Sequence, residues 1–372
     1  MKIKFQSQPQ TQIWMAVVAW VLSGLSVAGS ASGQVVRCWG DNSDGQCNIP
    51  IGLRNVSAVA AGGAHTVAMR SDGTVACWGD DSSGQCTPPA DLGNVIAIDA
   101  GRLGSHTVAV QSDGAVRCWG SNLWGQCTPP ADLGAIIAVA AGSQHTVALK
   151  FDGTIRCWGQ SLFGKLLVPQ DIGVVSRIAA GRYHSLALRN DGTVRCWGYN
   201  SSGECNVPLN LNAVVGIAGG SMFTAVVSAS GAIRCWGYNQ QGQCNVPSDL
   251  EPAIMVSAGT VHAVALTMNG VVRCWGGNWF GQASEQQDLS GVSWIVAGGS
   301  HTIAIERDCY QTCTASVSGN CIVDGADLAP LLAYWGPVND STASSVCDIN
   351  VDGRVDGFDL GVLLNNWGPC PN

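Results

Sequence analysis

Short runs of alternating small apolar and polar residues recur along most of this chain, and glycine-rich turns separate them. Residues 56–61 (VSAVAA) and residues 65–69 (HTVAM) are two such runs, and Asp72-Gly leads into a third at residues 74–78. A period of two predicts β-strands, and Asp-Gly between two strands predicts a hairpin turn. Residues 85–88 add a short outer strand that ends at proline. Each unit is thus predicted to be a three- or four-stranded antiparallel meander.

The same unit occurs seven times. Cys-Trp-Gly occurs at Cys38, Cys77, Cys118, Cys157, Cys196, Cys235 and Cys274, with steps of 39 residues and one of 41. An Ala-Gly-x-x-His signature precedes each later copy, with a two-residue insertion between Gly101 and His106 and with Phe223 in one histidine position. A period near 40 with turn residues at fixed offsets indicates a repeat architecture.

Strand counting predicts a closed ring. Six complete strand sets lie between His65 and Cys274, while a lone third strand (residues 34–39) precedes them and a lone first pair (residues 292–305) follows. The two incomplete parts supply one further blade together. The fold class is therefore predicted to be all-β, a seven-bladed β-propeller, because closure leaves few exposed strand edges.

The six histidines and the repeated tryptophans occupy fixed positions in this unit. A catalytic residue would be needed once, whereas this histidine position recurs at His65, His106, His145, His184, His262 and His301. We interpret each imidazole as structural, with a hydrogen bond inside its own blade. The tryptophan of each Cys-Trp-Gly is interpreted as packing between blades.

Cysteines recur in pairs within five of the seven units. The pairs, nine residues apart, are Cys38/Cys47, Cys77/Cys86, Cys118/Cys127, Cys196/Cys205 and Cys235/Cys244. One disulfide within each blade is the simplest interpretation, and buried thiols or pairing to a neighbouring blade are the alternatives. Leu166 and Ala283 stand at the second position in the other two units, so Cys157 and Cys274 have no repeat partner.

Composition and the first residues indicate export. Seventeen cysteines in 372 residues are typical of an oxidising compartment. Residues 1–33 combine Lys2 and Lys4 with an apolar run and then small residues, which predicts a secretory signal cleaved before Gln34. A retained anchor is the alternative, although the apolar run is short for a membrane span. The net charge of −8 and the lack of a basic patch argue against nucleic acid as a partner.

Residues 34–306 resemble the repeat family named after the regulator of chromosome condensation. The resemblance rests on Trp-Gly-x-Asn-x-x-Gly-Gln at residues 39–46, on Ala-Ala-Gly-x-x-His-Thr-Val-Ala-Leu at residues 140–149, and on Asp-Gly before the third strand. The period near 39 is similar to that of the short-blade secreted member that inhibits beta-lactamases. The resemblance implies a seven-bladed protein-binding propeller at residues 34–308, without nucleotide exchange.

Residues 309–372 form a different, helix-patterned module with two related motifs 32 residues apart. Positions 1, 3, 5, 7, 9 and 12 of a calcium loop fall on Asp348, Asn350, Asp352, Arg354 (backbone carbonyl), Asp356 and Asp359. Hard oxygen ligands at this spacing predict one Ca²⁺ ion. The first copy keeps only Asp324 and Asp327 of its acids. This tail resembles a type I dockerin, which implies an EF-hand-like helical fold and a cohesin-like partner.

Strand direction predicts where a partner binds. The Gly-x-x-His loops and the loops after Trp-Gly should share one face of the disc, and this face carries most of the variable residues. Its aromatic residues are the predicted partner-binding set: Trp124, Phe163, Tyr183, Tyr199, Tyr238, Trp279 and Phe280. The alternative is that these rings fill gaps between blades.

The function predicted from the sequence is that of a secreted, non-enzymatic binding protein. Its propeller would recognise a protein or glycan, its tail would attach it to an assembly or surface, and no membrane span would remain after signal cleavage. The alternative is a polysaccharide lyase or hydrolase on a propeller scaffold. An enzyme would need a non-repeated cluster of acids, histidine or tyrosine in one blade, and the sequence shows scattered aromatic residues instead.

Overall fold

A computed structural model describes the repeat region almost completely and the tail in fragments. The described residues are 34–211, 213–286, 288–289, 291–306, 322–323, 332, 336–337, 354–355, 360 and 368–369. The repeat strands are β1 (Val35–Gly40), β2 (Val56–Ala61), β3 (His65–Arg70), β4 (Val75–Gly79), β5 (Val95–Ala100), β6 (His106–Gln111), β7 (Val116–Gly120), β8 (Ile136–Ala141), β9 (His145–Lys150), β10 (Ile155–Gly159), β11 (Val175–Ala180), β12 (His184–Arg189), β13 (Val194–Gly198), β14 (Val214–Gly219), β15 (Phe223–Ser228), β16 (Ile233–Gly237), β17 (Ala253–Ala258), β18 (His262–Thr267), β19 (Val272–Gly276), β20 (Val292–Ala297) and β21 (His301–Glu306).

These strands form seven three-stranded antiparallel sheets, which we call blades one to seven. Blades one to six are β2–β4, β5–β7, β8–β10, β11–β13, β14–β16 and β17–β19. Blade seven combines β20 and β21 with β1 from the other end of the repeat region. The all-β, seven-bladed prediction is confirmed, including the shared blade.

Blade seven closes the ring through backbone pairing and one ion pair. Along β1 and β21, Val35 lies opposite Glu306 and Gly40 lies opposite His301. The Nε atom of Arg37 lies 2.6 Å from a carboxylate oxygen of Glu306. The first strand of each blade contacts the first strand of the next, and β20 contacts β2, so the first strands line the centre. Each first strand is an edge strand of its sheet, and the neighbouring first strands cover that edge.

Small side chains on the second strands let the blades pack closely. Ala68, Ala109, Ala148, Ala187 and their counterparts are completely buried. Apolar clusters contain residues of adjacent blades, such as Val59 of blade one with Ile303 of blade seven. The core is therefore a ring of interfaces between blades, and each blade contributes to two of them.

The turn after each second strand has the predicted chemistry. The backbone of Gly73 adopts a φ of +79°, a region that glycine occupies without strain. A carboxylate oxygen of Asp72 accepts hydrogen bonds from the backbone N–H of Thr74 at 2.9 Å and from its hydroxyl at 2.7 Å. Aspartate followed by glycine thus fixes the hairpin.

The predicted fourth strand is absent from the described blades, and residues 85–88 form a turn followed by irregular chain. The backbone N–H of Cys86 donates to a side-chain oxygen of Asp81 at 2.7 Å. A loop folded onto its own side chains leaves no straight segment to pair with the third strand. The three-stranded alternative is therefore the correct one.

Five disulfides join the predicted cysteine pairs within blades. They are Cys38–Cys47, Cys77–Cys86, Cys118–Cys127, Cys196–Cys205 and Cys235–Cys244. Among the described residues Cys157 and Cys274 are free, and burial raises the pKa of each thiol to about 12. Five disulfides indicate an oxidising, extracytoplasmic compartment. In the part of the chain described, no helix is long and apolar enough to cross a membrane.

In the tail, two short strand pairs are described. They are β22 (Ile322–Val323) with β25 (Gly368–Pro369), and β23 (Gly336–Pro337) with β24 (Arg354–Val355). Each pair joins one copy of the 32-residue motif to the other. Residues 322–323 lie 32 positions before residues 354–355, and residues 336–337 lie 32 positions before residues 368–369. The two strand pairs therefore join equivalent positions of the two copies. The predicted tail helices lie largely outside the described residues.

Candidate functional site

The two loop types predicted to share one face do lie together. In blade one the N–H of Asp80, after Trp-Gly, donates to the carbonyl of Ala64 in the Gly-x-x-His loop at 2.9 Å. In blade four Tyr199 donates to the carbonyl of Tyr183 at 3.0 Å. The other five blades repeat this bond. We call the surface formed by the Gly-x-x-His loops and the Trp-Gly loops the loop face.

Beneath the loop face the histidines connect neighbouring blades. His65 of blade one lies 3.0 Å from the hydroxyl of Thr107 in blade two, and His145 of blade three lies 3.0 Å from that of Ser185 in blade four. His106, His184, His262 and His301 make the same contact with the following blade. The imidazoles are structural, but the prediction of a bond inside each blade is wrong. The period did not reveal which way the ring points.

The hydroxyl in this contact fixes the tautomer of the histidine. Thr107 donates its proton to the backbone carbonyl of Gln85 at 2.9 Å, so it accepts from Nε2–H of His65. Nε2 of each imidazole therefore carries a proton, and burial keeps the rings neutral near pH 7. Burial lowers the pKa of His65, His184 and His301 to about 4. It lowers the pKa of His106 and His262 to about 3, and that of His145 well below its usual value.

Tryptophan takes part in the same contact between neighbouring blades, which we call a joint. The indole N–H of Trp78 donates to the carbonyl of Gln46 at 2.9 Å, and the hydroxyl of Thr66 donates to that carbonyl at 2.8 Å. One carbonyl of the preceding blade thus receives two donors. Glycine is needed beside this joint, because a Cβ on Gly62 would lie 2.1 Å from Cε1 of His65. The predicted packing role of the tryptophans therefore includes a hydrogen bond between blades at five of the seven, which are Trp78, Trp158, Trp197, Trp236 and Trp275.

The joint between blades five and six has no histidine–hydroxyl pair. Phe223 replaces histidine in blade five, and Ala263 replaces the hydroxyl residue in blade six. Both side chains are completely buried and belong to one apolar cluster. The polar donor and its acceptor are lost together, so neither is left unsatisfied in the core.

An arginine closes the centre of the loop face. Arg102 lies in the two-residue insertion of blade two and reaches across the ring to the carbonyls of Ala258 in blade six and Ala297 in blade seven. Asp99 of the same blade accepts a hydrogen bond from the N–H of Ala141 at 2.8 Å. Burial raises the pKa of the Asp99 carboxyl, and the charge of Arg102 opposes this rise. The accessible surface is consequently the outer part of the loop face.

The predicted aromatic residues occupy this outer part to different degrees. Trp124, Phe163, Trp279 and Phe280 are at least half exposed, with exposed fractions of 50%, 52%, 66% and 55%. Tyr183, Tyr199 and Tyr238 are half-buried. Exposed rings of this size do not serve mainly to fill gaps between blades. Their role in partner binding stays a prediction.

Three of these residues meet at the boundary of blades three and four. The ring centroid of Phe163 lies 4.7 Å from that of Tyr199 and 5.8 Å from that of Tyr183, and the two tyrosine rings are 6.0 Å apart. We call Phe163, Tyr183 and Tyr199 the aromatic cluster. Trp124, Tyr238, Trp279 and Phe280 form no ring contact with it.

Two cations beside the aromatic cluster were not predicted as site residues. The Nζ atom of Lys165 lies 5.2 Å from the centre of the Tyr183 ring, and the guanidinium carbon of Arg182 lies 4.8 Å from it. Lys165 is completely buried and donates to the side-chain oxygen of Gln160 at 2.7 Å. Burial lowers its pKa to about 8. The available signal was lysine at a position that holds glutamine in five blades.

The loop face carries the opposite charge elsewhere. The Trp-Gly loops of blades seven and one contain Asp41, Asp44, Asp80 and Asp81. Those of blades two, three and six carry bulky apolar pairs, Leu123-Trp124, Leu162-Phe163 and Trp279-Phe280. The two acidic loops are neighbours in the ring and apolar pairs flank them on both sides, so a partner could distinguish one part of the face from another.

No metal centre is found among the described residues, which contain no group of three histidine, cysteine, aspartate or glutamate side chains able to hold an ion. The predicted calcium ligands Asp348, Asn350, Asp352, Asp356 and Asp359 lie outside the described residues. Arg354 is placed only as a strand residue, opposite Pro337. Calcium binding by this tail therefore stays a prediction.

Comparison with known proteins agrees with this architecture. The model of the Regulator of chromosome condensation (RCC1) repeat matches residues 56–85, 136–165 and 175–204. Together with the ring of seven blades, these matches define an RCC1-like β-propeller. No curated protein matches the chain.

Solved structures show the same fold at low sequence identity. Prp20p from Saccharomyces cerevisiae, described with its binding properties to Gsp1p and histones, has a TM-score of 0.64 at 17% identity, covering 82% of this chain and 96% of that one. Human WBSCR16 has a TM-score of 0.61 at 16% identity, with 74% and 99% covered. The ectodomain of the Arabidopsis thaliana receptor kinase ACR4 has 0.54 at 21%, with 66% and 90% covered. These likenesses concern the fold alone.

Proposed function

We propose that this chain is an exported, non-enzymatic binding protein of the short-blade type, which recognises a protein partner through the loop face. The observation that carries the proposal is the exposure of large apolar side chains on that face, where Trp279 is 66% exposed and Phe280 55%. Exposed aromatic side chains are typical anchors of protein interfaces. The five disulfides bracket Trp-Gly loops, and rigid loops lose less entropy on binding.

The chemistry of the described residues supports binding rather than catalysis. The histidines are buried and bonded to hydroxyl groups, so they are not available to a substrate. Arg102 fills the centre of the loop face, where a propeller enzyme would need an open cavity. A glycan is the alternative ligand for the same rings, and turnover of a panel of glycans or peptides would contradict the proposal.

The test replaces three aromatic residues of the loop face together. Trp124, Tyr199 and Trp279 are changed to alanine in the full chain, and the exported fraction of the source cells is passed over both proteins. We expect the partner retained by the native chain to be lost, while the thermal midpoint stays within about 3 °C, because surface substitutions have small effects.

A control variant on the opposite face makes this test specific. Phe151 lies beside the Asp-Gly turn of blade three, and Met268 lies beside the equivalent Asn-Gly turn of blade six; they are 63% and 70% exposed. Phe151→Ala with Met268→Ala should retain the partner. Loss of partner in both variants, or a large loss of stability in the triple variant, would contradict binding through the loop face.

The proposal includes a signal peptide at residues 1–33 and a dockerin-like, calcium-binding attachment module at residues 309–372. The donor set of carboxylates and an amide at Asp348, Asn350, Asp352, Asp356 and Asp359 suits Ca²⁺. Isothermal titration of the full chain should give one site that Asp348→Ala removes. Absence of calcium uptake, or uptake unchanged in the variant, would contradict the assignment.

A further inference from the structure

The Trp-Gly loop of blade three has lost the contacts that hold this loop in the other six blades. Elsewhere a glutamine or glutamate accepts the N–H two residues before it, as Gln126 does from Trp124 at 2.9 Å. An asparagine or aspartate accepts the N–H five residues after it, as Asn122 does from Cys127 at 2.8 Å. The same two bonds occur in blades seven, one, four, five and six.

Blade three carries Ser161, Lys165 and Leu166 at the asparagine, glutamine and second cysteine positions. Lys165 has no acceptor for the N–H of Phe163, and Leu166 cannot close a disulfide with Cys157. Blade six also lacks the disulfide, but Asn278 and Gln282 keep both hydrogen bonds. Blade three is therefore the one blade of the described propeller in which all three restraints are absent.

Without these restraints the loop takes a different path. Phe163 adopts a φ of +65° and a ψ of +11°, whereas its six counterparts have negative φ. This left-handed conformation costs a phenylalanine about 1 kcal/mol. In return the ring meets Tyr199 edge-on at 4.7 Å and remains 52% exposed. The loop thus holds an apolar ring at the surface against two tyrosines.

The cations at this place have no acidic partner. Among the described residues neither Lys165 nor Arg182 forms an ion pair, while arginines on the third strands pair with aspartates, as Arg117 does with Asp91 at 2.7 Å. Nε of Arg182 is buried and has no hydrogen-bond partner. A carboxylate is the group that best satisfies a half-buried guanidinium with free N–H groups.

We propose that the aromatic cluster and Arg182 form a subsite for a protein segment that places an aspartate or glutamate next to an apolar side chain. Arg182 binds the carboxylate, and the exposed edge of Phe163 packs against the apolar group. Lys165 adds positive charge beneath Tyr183. This assignment rests on the proposed function. The proposed function leaves the chemistry of the partner open, and this assignment specifies it.

Charge complementarity selects this occupant over others. A basic segment would be repelled at Arg182 and attracted to the acidic loops with Asp44 and Asp81 on blades seven and one. An acidic segment has the opposite preference, so it binds near blades three and four and fixes the orientation of its protein. An acidic glycan offers a carboxylate as well, and the experiment separates the two.

The test selects peptides from a displayed library of random heptamers on the full chain. We expect the selected peptides to contain aspartate or glutamate beside an apolar residue. Synthetic copies of these peptides should bind at least about tenfold more weakly to Arg182→Gln and to Phe163→Ala. Arg234→Gln, an exposed arginine of β16, and Phe280→Ala, the same loop position in blade six, serve as matched controls and should bind normally.

The outcomes distinguish this inference from the proposed function. Peptides that lack acids, or that bind Arg182→Gln unchanged, overturn the subsite. If their binding depends on Phe280 instead, the loop face remains the binding surface while the subsite is wrong. Calorimetry with hexagalacturonate forms a separate arm, and binding of this acidic glycan through Arg182 without any selected peptide would replace the protein partner and overturn the assignment. If neither ligand binds, both proposals fail.

Discussion

Two joints of the propeller depart from the repeat in opposite ways. Between blades five and six, histidine and threonine become Phe223 and Ala263, and the exchange is completed within the core. Between blades three and four, Lys165 replaces glutamine without an acidic partner among the described residues, and Phe163 is held exposed by a left-handed backbone. A departure in the core is compensated by its neighbour, whereas one at the surface exposes new chemistry. Uncompensated positions are therefore where a repeat protein is specialised.

Lowering the pH should produce the largest change in stability. It acts on the six joints that contain a histidine and not on the joint of Phe223. Six buried histidines have folded pKa values at or below about 4, while the unfolded pKa is about 6.5. Between these values the unfolded chain binds more protons, so stability falls as pH drops below about 6.5. The slope approaches about 1.4 kcal/mol per pH unit for each histidine. Denaturant midpoints that are equal at pH 7 and pH 5 would contradict this.

Copying the joint of blades five and six elsewhere tests whether its two changes compensate. His145→Phe alone should destabilise the propeller by about 2–3 kcal/mol, because a larger ring meets Ser185 and leaves its hydroxyl without a donor. Adding Ser185→Ala should recover about 1 kcal/mol, since alanine gives the ring room as Ala263 does. Denaturant unfolding of the double-mutant cycle measures this. Additive effects would show that the natural pair is not compensatory.

Restoring the usual residue at the joint of blades three and four should raise stability, and by less than His145→Phe lowers it. Lys165→Gln removes a buried ammonium and supplies an acceptor for the N–H of Phe163, so stability should rise by about 1–2 kcal/mol at pH 7. The folded pKa of Lys165 is about 8 and its unfolded value is about 10.5. The native chain gains stability as pH rises between these values, and the advantage of the variant should shrink. A constant difference from pH 7 to pH 10 would argue against a charged Lys165.

The smallest effect is expected from closing the loop covalently. Leu166→Cys places a second cysteine nine residues after Cys157, the spacing of the five native disulfides. The new bond should add about 1 kcal/mol or less under oxidising conditions, below the ideal for a short loop, because the path of the loop differs. Ala283→Cys in blade six is the matched control. Its gain should be larger, since its loop keeps the regular path.

Repetition explains how much of the fold could be predicted. The strands, the shared blade and the five disulfides each depend on a pattern seen several times, such as Cys77 and Cys86 nine residues apart. The partner of His65 could not be predicted, because a period does not say which neighbour an imidazole faces. The reach of Arg102 across the ring also depends on distances between blades that no local pattern contains.

The candidate site was predicted only in part for the same reason. Aromatic residues in variable loops could be identified one by one, but not the meeting of Phe163, Tyr183 and Tyr199. That contact occurs together with the left-handed backbone of Phe163, in the one blade where lysine replaces the acceptor side chain of this position. Lysine occurs once at the position of Lys165, and arginine follows Ala-Gly in only two blades, at Arg102 and Arg182, so no repeated position drew attention to them.

The shared blade also determines how the propeller responds to mechanical load. Because β1 and β21 are antiparallel, the beginning of β1 at Val35 lies opposite the end of β21 at Glu306. A pull between these two points strains one backbone pair at a time, as a zipper opens, and does not shear all six pairs together. The ring is therefore weakest along the line on which the chain enters and leaves it. Force applied between the loop face and residue 306, with residue 35 free, does not pull β1 and β21 apart at this end.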